Sequence, residues 1–135
     1  MWWNVGNLGP NVEVYATMST FGPTRLYFRL QQEGTAGFDG YAILAYTDNN
    51  FYVYRVDNGS QTQLGAAISQ TFASGDSIGA SMVGSLITVY YKAAAGSWTS
   101  MGTRTDGTYT GAGKIGVAIF DNISGAIDNF GGGTI

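Results

Sequence analysis

The stretch Ser74–Lys92, SGDSIGASMVGSLITVYYK, decides the fold. It contains two runs in which side chains alternate in character, Ser77–Val83 and Leu86–Lys92, joined by Gly84-Ser85. A two-residue link between runs of period two predicts a tight antiparallel hairpin. Because an isolated hairpin is not stable in water, other strands must cover at least one of its faces. In the second run the two faces consist of Leu86, Thr88 and Tyr90, and of Ile87, Val89 and Tyr91.

Two strands are predicted before this hairpin, and both alternate clearly. Asn11–Ser19 places four apolar side chains on one face: Val12, Val14, Ala16 and Met18. Arg25–Gln32 divides into an inward set of Leu26, Phe28 and Leu30 and an outward set of Arg25, Tyr27 and Arg29. Such alternation is typical of half-buried strands. We expect Glu13 and Tyr15 to share an outer surface with Tyr27 and Arg29. This polar and aromatic surface is of the kind that a sugar could use, and a cross-strand pair of opposite charges explains Glu13 and Arg29 equally well.

The remainder of the chain also consists of short strands separated by turns. No segment shows a helical period over ten or more residues. About ten strands at roughly ten-residue spacing predict an all-β fold, an antiparallel two-sheet β-sandwich of the jelly-roll kind. The glycine run Gly131–Gly133 is expected to end the fold. The further strands are predicted at Gly40–Tyr46, Phe51–Val56, Ser60–Ile68, Ser97–Arg104, Lys114–Phe120 and Ala126–Phe130.

Composition narrows the class of protein. At 135 residues, a single domain spanning 1–135 is expected. The formal net charge is -3 and only six residues are Lys or Arg, which argues against nucleic acid as a partner. The chain has no cysteine, so disulfides and thiolate metal sites are excluded. No apolar run reaches membrane-spanning length, so membrane insertion is not expected. The start also lacks the pattern of a secretory signal.

Catalytic residue types are scarce. The chain contains no histidine and only two glutamates, Glu13 and Glu33. Without histidine, Ser-His and Cys-His nucleophile systems and the usual zinc sites are excluded. A glycosidase of a sandwich fold needs two carboxylates close together, whereas most aspartates here occupy turn positions, where they bond their own backbone. We therefore predict that the protein is not an enzyme. The turn aspartates are Asp39, Asp48, Asp57, Asp76, Asp106 and Asp121.

Aromatic and polar side chains on strands and loops are the candidate ligand-binding residues. Sugars stack their C–H faces on exposed rings and bond charged or amide groups through their hydroxyls. Each candidate is equally well explained by packing in the core or on a sheet surface. The candidates are Trp2, Tyr15, Tyr27, Arg29, Tyr52, Tyr54 and Trp98.

The order of several short motifs resembles the concanavalin A-like lectin/glucanase superfamily, in particular laminin G-like jelly-roll domains of bacterial surface proteins and phage virion proteins. The resemblance covers nearly the whole chain, and it implies a concanavalin A-like sandwich. Its motifs are Glu13–Thr17, Leu26–Leu30, Gly40-Tyr41, Arg55–Gly59, Gly75–Gly79, Gly84-Ser85, Asp106–Tyr109, Gly113–Gly116 and Ile127–Gly132.

The resemblance also implies properties of the site and of the edges. Members often bind a structural calcium ion through an early acidic residue and an Asp in the last strand, and Asp128 matches the second position. Members usually begin with a further strand before the tryptophan. Here the chain starts at Met1-Trp2-Trp3, so we expect an open sheet edge or completion by a neighbouring chain.

Three functions follow, in order of preference. The first is a non-catalytic carbohydrate-binding or adhesion module that takes a glycan or polysaccharide. The second is a structural decoration or appendage subunit of a virion, which assembles with a virion or cell-surface protein or with its own copies through a sheet edge. The third, a minority alternative, is a polysaccharide-degrading domain. An extracellular or virion-surface location is expected, reached after removal of a leader or by assembly or lysis.

Overall fold

The computed structural model describes residues 6–32, 36–119 and 124–135, and every regular element among them is a β-strand. No helix suited to crossing a membrane occurs in these ranges. The strands are β1 (Val12–Thr20), β2 (Thr24–Gln31), β3 (Asp39–Tyr46), β4 (Asn50–Asp57), β5 (Ser60–Gln63), β6 (Ile68–Ser69), β7 (Ser77–Val83), β8 (Leu86–Lys92), β9 (Thr99–Thr105), β10 (Lys114–Ile119) and β11 (Ala126–Thr134).

Two antiparallel sheets face each other. One sheet has five strands in the order β11-β1-β7-β8-β9, and the other has the order β10-β2-β3-β4-β5 with β6 paired to β4. The apolar faces of both sheets meet in one buried cluster, which includes Val14 of β1, Phe28 of β2 and Ile78 of β7. The predicted two-sheet β-sandwich is therefore confirmed.

The hairpin from which the fold was predicted forms with the predicted bounds, as β7 and β8. Strand β7 pairs with β8, with Val83 opposite Leu86 across the Gly84-Ser85 turn. Gly84 adopts a φ of 58°, which glycine tolerates better than other residues. The inner face of β8 carries Ile87 and Val89, both fully buried. Burial of this face against the second sheet supplies the layer that the hairpin requires.

The prediction for β2 is wrong at three residues. Tyr27 and Arg29, predicted to be exposed, are buried, and Leu30, predicted to face the main core with Phe28, lies outside it. Tyr27 is buried with Leu30 and Ala42, and Phe38 and Ala118 pack against this second cluster. Arg29 is 1% exposed and has a φ of 48°. The pairing of β2 with β3 shifts register between Phe28 and Gln31, so simple alternation ends before Arg29.

Two further expectations are corrected. The segment predicted as one strand over Ser60–Ile68 forms two short strands, β5 and β6. The glycine run does not end the fold, since β11 continues through it to Thr134 and pairs with β1. A Cβ on Gly131 would lie 2.8 Å from the Tyr15 hydroxyl, and one on Gly132 would lie 2.2 Å from the Glu13 carbonyl oxygen. The glycines are therefore what allows β11 to approach β1.

Candidate binding groove

The outer face of the five-stranded sheet carries a groove centred on Gly79. In the sheet register Tyr15 of β1 lies opposite Gly79 of β7, and Gly79 lies opposite Tyr90 of β8. The neighbours of these residues along each strand, such as Val14, Ala80 and Val89, point into the core. Because side chains alternate along a strand, Tyr15 and Tyr90 project from the opposite, outer face.

Glycine residues on the two strands beside Tyr15 let aromatic rings lie close to the sheet. The Tyr15 ring lies over Gly131 of β11, where a Cβ would be 2.9 Å from the ring carbon that bears the hydroxyl. The Trp98 indole lies over Gly79, with ring atoms 3.4 and 3.5 Å from the position of a Cβ. Trp98 belongs to the loop between β8 and β9. A side chain on Gly131 would overlap the Tyr15 ring, so that glycine leaves space for the ring, whereas a Cβ on Gly79 would be in ordinary van der Waals contact with Trp98.

The groove has a volume of about 480 Å³, within the size range of small-ligand sites. Its polar groups come mainly from Glu13, Ser81 and the tyrosine hydroxyls, and Ser81 Oγ lies 3.4 Å from the Tyr90 hydroxyl. Aromatic surface with a few polar groups is the composition expected of a sugar site. The lining consists of Glu13, Val14, Tyr15, Gly79, Ala80, Ser81, Val83, Tyr90, Trp98 and Ile135.

Two of the predicted site residues meet in this groove. Tyr15 is 40% exposed and Trp98 is 45% exposed, and both line it. Sequence reasoning did not single out Tyr90, Ser81 or Gly79 as site residues. The signal for Tyr90 was present, because the alternation of β8 puts it on the face opposite Val89. What was missing was the order of the strands, which brings β1 beside β7.

Tyr27 and Arg29 do not belong to this surface. They lie on β2, in the other sheet from Glu13 and Tyr15, so the predicted charge pair between Glu13 and Arg29 is wrong. The buried Arg29 guanidinium donates hydrogen bonds from Nε to the Pro10 carbonyl at 2.7 Å and from Nη1 to the Tyr109 carbonyl at 2.9 Å. Burial lowers the pKa of Arg29. The role shown by these contacts is to fix two loops to β2.

Tyr52 and Tyr54 form a separate aromatic surface on the other sheet. Their rings are stacked, with centroids 6.2 Å apart, and the Arg25 guanidinium carbon lies 5.4 Å from the Tyr54 centroid. The Tyr52 hydroxyl donates to the Asp48 carboxylate, and this bond raises the pKa of Tyr52. On β4 both tyrosines alternate with the buried Phe51 and Val53, so they face away from the groove.

The remaining predicted site residues are Trp2 and Asp128. Trp2 lies outside the described residues. Asp128 is exposed on β11, and its carboxylate accepts a hydrogen bond from the Asn129 N–H at 2.8 Å. Within residues 6–32, 36–119 and 124–135, no group of three or more acidic side chains could hold a metal ion. The described surroundings of Asp128 thus do not form a complete calcium site, and the calcium ion stays a prediction.

A network of charged and phenolic groups lies at one end of the second sheet. Arg55 Nε contacts Asp57 Oδ2 and Arg55 Nη1 contacts Asp106 Oδ2, each at 2.9 Å. The Tyr109 hydroxyl donates to Asp57 at 2.7 Å, and the Tyr41 hydroxyl donates to Asp106 at 2.7 Å. These contacts attach the loop after β9 to β3 and β4. The interpretation of Asp57 and Asp106 as turn residues is therefore incomplete.

This network perturbs the ionisation of its members. Burial alone raises the pKa of Asp106, but hydrogen bonds from the Thr108 N–H and hydroxyl, Tyr41 and Arg55 together lower it to about 2. Burial raises the pKa of Tyr41 to about 12. Hydrogen bonds from Tyr109 and Arg55 lower the pKa of Asp57. Both carboxylates are thus held ionised by structural partners, which makes neither a proton donor at neutral pH.

Comparisons with known proteins give only structural neighbours, since no protein-family model and no curated protein sequence matches the chain. A carbohydrate-binding module, CBM66 from Bacillus subtilis, superposes with a TM-score of 0.65 at 12% identity, over 94% of this chain and 74% of that one. A mutant of the GH43 protein BlXynB from Bacillus licheniformis superposes with a TM-score of 0.52 at 16% identity, over 90% of this chain. The match covers 26% of the latter protein. At these identities the similarity shows that the chain shares the β-sandwich fold of these carbohydrate-related proteins.

Proposed function

We propose that the protein is a non-catalytic carbohydrate-binding module that holds a glycan in the groove of the five-stranded sheet. The observation that carries this proposal is the aromatic surface formed by Tyr15, Tyr90 and Trp98 around Gly79. The exposed rings of Tyr15 and Trp98 and the partly exposed ring of Tyr90 offer apolar surface to the C–H faces of a sugar. The fold shared with a carbohydrate-binding module supports the same conclusion.

Polar groups at the groove are available to sugar hydroxyls. Among the described residues, neither the Glu13 carboxylate nor the Trp98 indole N–H forms a hydrogen bond within the chain. Ser81 and Tyr90 add hydroxyls that can both donate and accept. A ligand that stacks on the rings can therefore be oriented by hydrogen bonds without displacing any described internal bond.

Catalysis is not part of the proposal, because the groove lacks the necessary pair of acids. Hydrolysis of a glycosidic bond generally requires two carboxyl groups that flank the bond. Glu13 is the single acidic side chain among the residues that line the groove. We expect the purified protein to release no reducing sugar from any glycan that it binds.

The proposal is tested by a glycan array followed by calorimetry on the best ligand. We expect Trp98→Ala and Tyr15→Ala each to weaken binding about tenfold, because each removes a stacking surface. Tyr52→Ala is the matched control, since it removes a tyrosine ring from the opposite sheet. Absence of binding to any glycan would contradict the function. If only Tyr52→Ala weakened glycan binding, the proposed function would stand but the binding site would lie on the opposite sheet.

A structural role is the second candidate, and the β9 edge favours it. In the part of the chain that the structure describes, β9 pairs only with β8, and most of its residues are exposed. Such an edge can accept a strand from another chain. Assembly of this kind would suit a surface or virion protein, and we propose an extracellular or virion-surface location for either function. Light scattering tests it, because a strict monomer at high concentration contradicts assembly.

The concanavalin A-like, laminin G-like relationship and the calcium ion at Asp128 are also part of this proposal. Calorimetric titration with calcium chloride, compared with the Asp128→Asn variant, tests the ion. We expect binding to the parent protein that the variant loses. No heat of binding to the parent protein would remove calcium from the proposal without affecting the groove.

A further inference from the structure

We propose that the groove selects its glycan by charge. It binds a sugar bearing a protonated amine more tightly than the neutral N-acetylated counterpart, and it rejects glycans of uronic acids. This inference rests on the proposed carbohydrate-binding function and names the charge class of its ligand.

The first observation is that the Glu13 carboxylate is exposed at the groove. Glu13 is exposed on the outer face of β1, and its cross-strand neighbours are Gly133 on β11 and Ser81 on β7. Neither neighbour can neutralise it. Among the described residues Glu13 forms no ion pair, since the ion pairs found there both belong to Arg55. Its negative charge is therefore open to a ligand.

The rest of the lining reinforces this charge. The residues that line the groove include no lysine or arginine, so none of them offers a carboxylate a positive charge. The faces of Tyr15, Tyr90 and Trp98 carry the negative side of the ring quadrupole, which attracts cations. Carboxylate and rings thus act in the same direction, in favour of an ammonium group and against an anionic sugar.

The spacing of Glu13 and Tyr15 suits one sugar unit. The two residues are two positions apart on the same face of β1, a separation of about 7 Å along the strand. A ring stacked on Tyr15 therefore presents one of its substituents near the carboxylate. An amine at that substituent can donate a charge-assisted hydrogen bond to Glu13.

The test uses oligosaccharides of glucosamine and of galactosamine, their fully N-acetylated counterparts, and oligogalacturonate. Calorimetry is performed at low and at high salt. We expect the amine form to bind about two- to fivefold more tightly than the acetylated form at low salt, as for a partly exposed ion pair. We expect salt to reduce this ratio, and oligogalacturonate not to bind.

Two variants separate a local effect from a general one. Glu13→Gln removes the charge but keeps the shape, and we expect it to bring the ratio close to one. Asp48→Asn makes the same change in net charge in the β3–β4 loop of the other sheet, and we expect it to preserve the ratio. Loss of the preference in both variants would assign it to net charge and overturn the inference.

The outcomes also distinguish failure of charge selection from failure of carbohydrate binding itself. If the acetylated sugars bind as tightly as the amines, charge selection is overturned while carbohydrate binding stands. If the preference survives Glu13→Gln, the role of Glu13 is overturned. If no glycan binds in the array or in this series, the proposed function fails and the inference fails with it.

Discussion

The Trp98 indole lies against Gly79, with two ring atoms 3.4 and 3.5 Å from the point where a Cβ would be. The same Cβ would be 3.1 Å from the Val14 carbonyl oxygen. The tight contact is thus with the β1 backbone, and Gly79→Ala should lower the free energy of unfolding by about 1 kcal/mol. Because the added methyl meets the indole only at ordinary van der Waals distance, Trp98 should stay in place and glycan affinity should change by less than about twofold. Urea unfolding measures the stability, and calorimetry measures the affinity. The control is Gly111→Ala, where an added Cβ meets nothing within 4 Å. A larger loss of affinity in Gly79→Ala, with Gly111→Ala unchanged, would contradict this expectation and show that the methyl displaces Trp98.

Asp106 should make stability depend on acid pH. Its pKa is about 2 in the folded protein, against 3.8 ordinarily, so it stabilises the fold above pH 3.8. This contribution is lost as the pH falls through about 2. Asp106→Asn should lower the free energy of unfolding at pH 7 by about 2 kcal/mol, and the difference should shrink between pH 4 and pH 2. Urea unfolding at each pH measures it. A difference that is constant with pH would contradict the role of the charge.

Tyr91 should affect stability at alkaline pH. Burial and a hydrogen bond to Asp76 raise its pKa to about 12, and the hydroxyl lies 2.7 Å from Asp76 Oδ2. Because the folded pKa lies above the ordinary value of 10.0, the contribution is complete below pH 10 and is lost as the pH rises through about 12. Ultraviolet titration of the tyrosines should show a late-ionising fraction, to which Tyr41 also contributes, and Tyr91→Phe should reduce this fraction by one tyrosine. A late-ionising fraction of unchanged size in Tyr91→Phe would contradict the raised pKa of Tyr91.

Arg29 should matter for stability and not for binding. Arg29→Met removes the hydrogen bonds to the carbonyls of Pro10 and Tyr109, which should cost about 3 kcal/mol. Arg29→Lys should recover only part of this loss, because an ammonium lacks the planar fork that reaches both carbonyls. Urea unfolding measures stability, and calorimetry at a temperature where all forms are folded measures affinity. A lower glycan affinity in the folded Arg29→Met variant would restore Arg29 as a site residue.

Local periodicity predicted the parts of the fold that depend on one strand and its neighbour. The bounds of β7 and β8 follow from alternation and the two-residue turn, and the buried face of β1 follows from its four alternating apolar residues. Periodicity failed at Arg29, where a positive φ and a register shift interrupt the strand. At Tyr27 periodicity predicted the correct face but not the burial of the ring, because Phe38 and Ala118 cover it. Alternation tells which residues share a face, but not whether another element covers that face.

The candidate site was harder to predict because it depends on strand order. Tyr15 and Trp98 were identified by type, but their meeting requires β1 to lie beside β7 and the loop before β9 to fold back over Gly79. Tyr52 has the same residue type and alternation as Tyr15, yet it lies on the opposite sheet. Which sheet Tyr15 or Tyr52 belongs to depends on strand pairing between distant parts of the chain, and a local sequence pattern does not reveal that pairing.

The pairing of β1 with β11 determines how the sandwich responds to a pulling force. Val12 lies opposite Thr134 at one end of this antiparallel pair, and Thr20 lies opposite Ala126 at the other. Tension applied between Val12 and Thr134 therefore acts on one pair of opposing residues at a time, along the direction of the hydrogen bonds between the two strands. The two strands should unzip at low force instead of resisting by shear, so a tether attached at these ends would open this sheet from its edge.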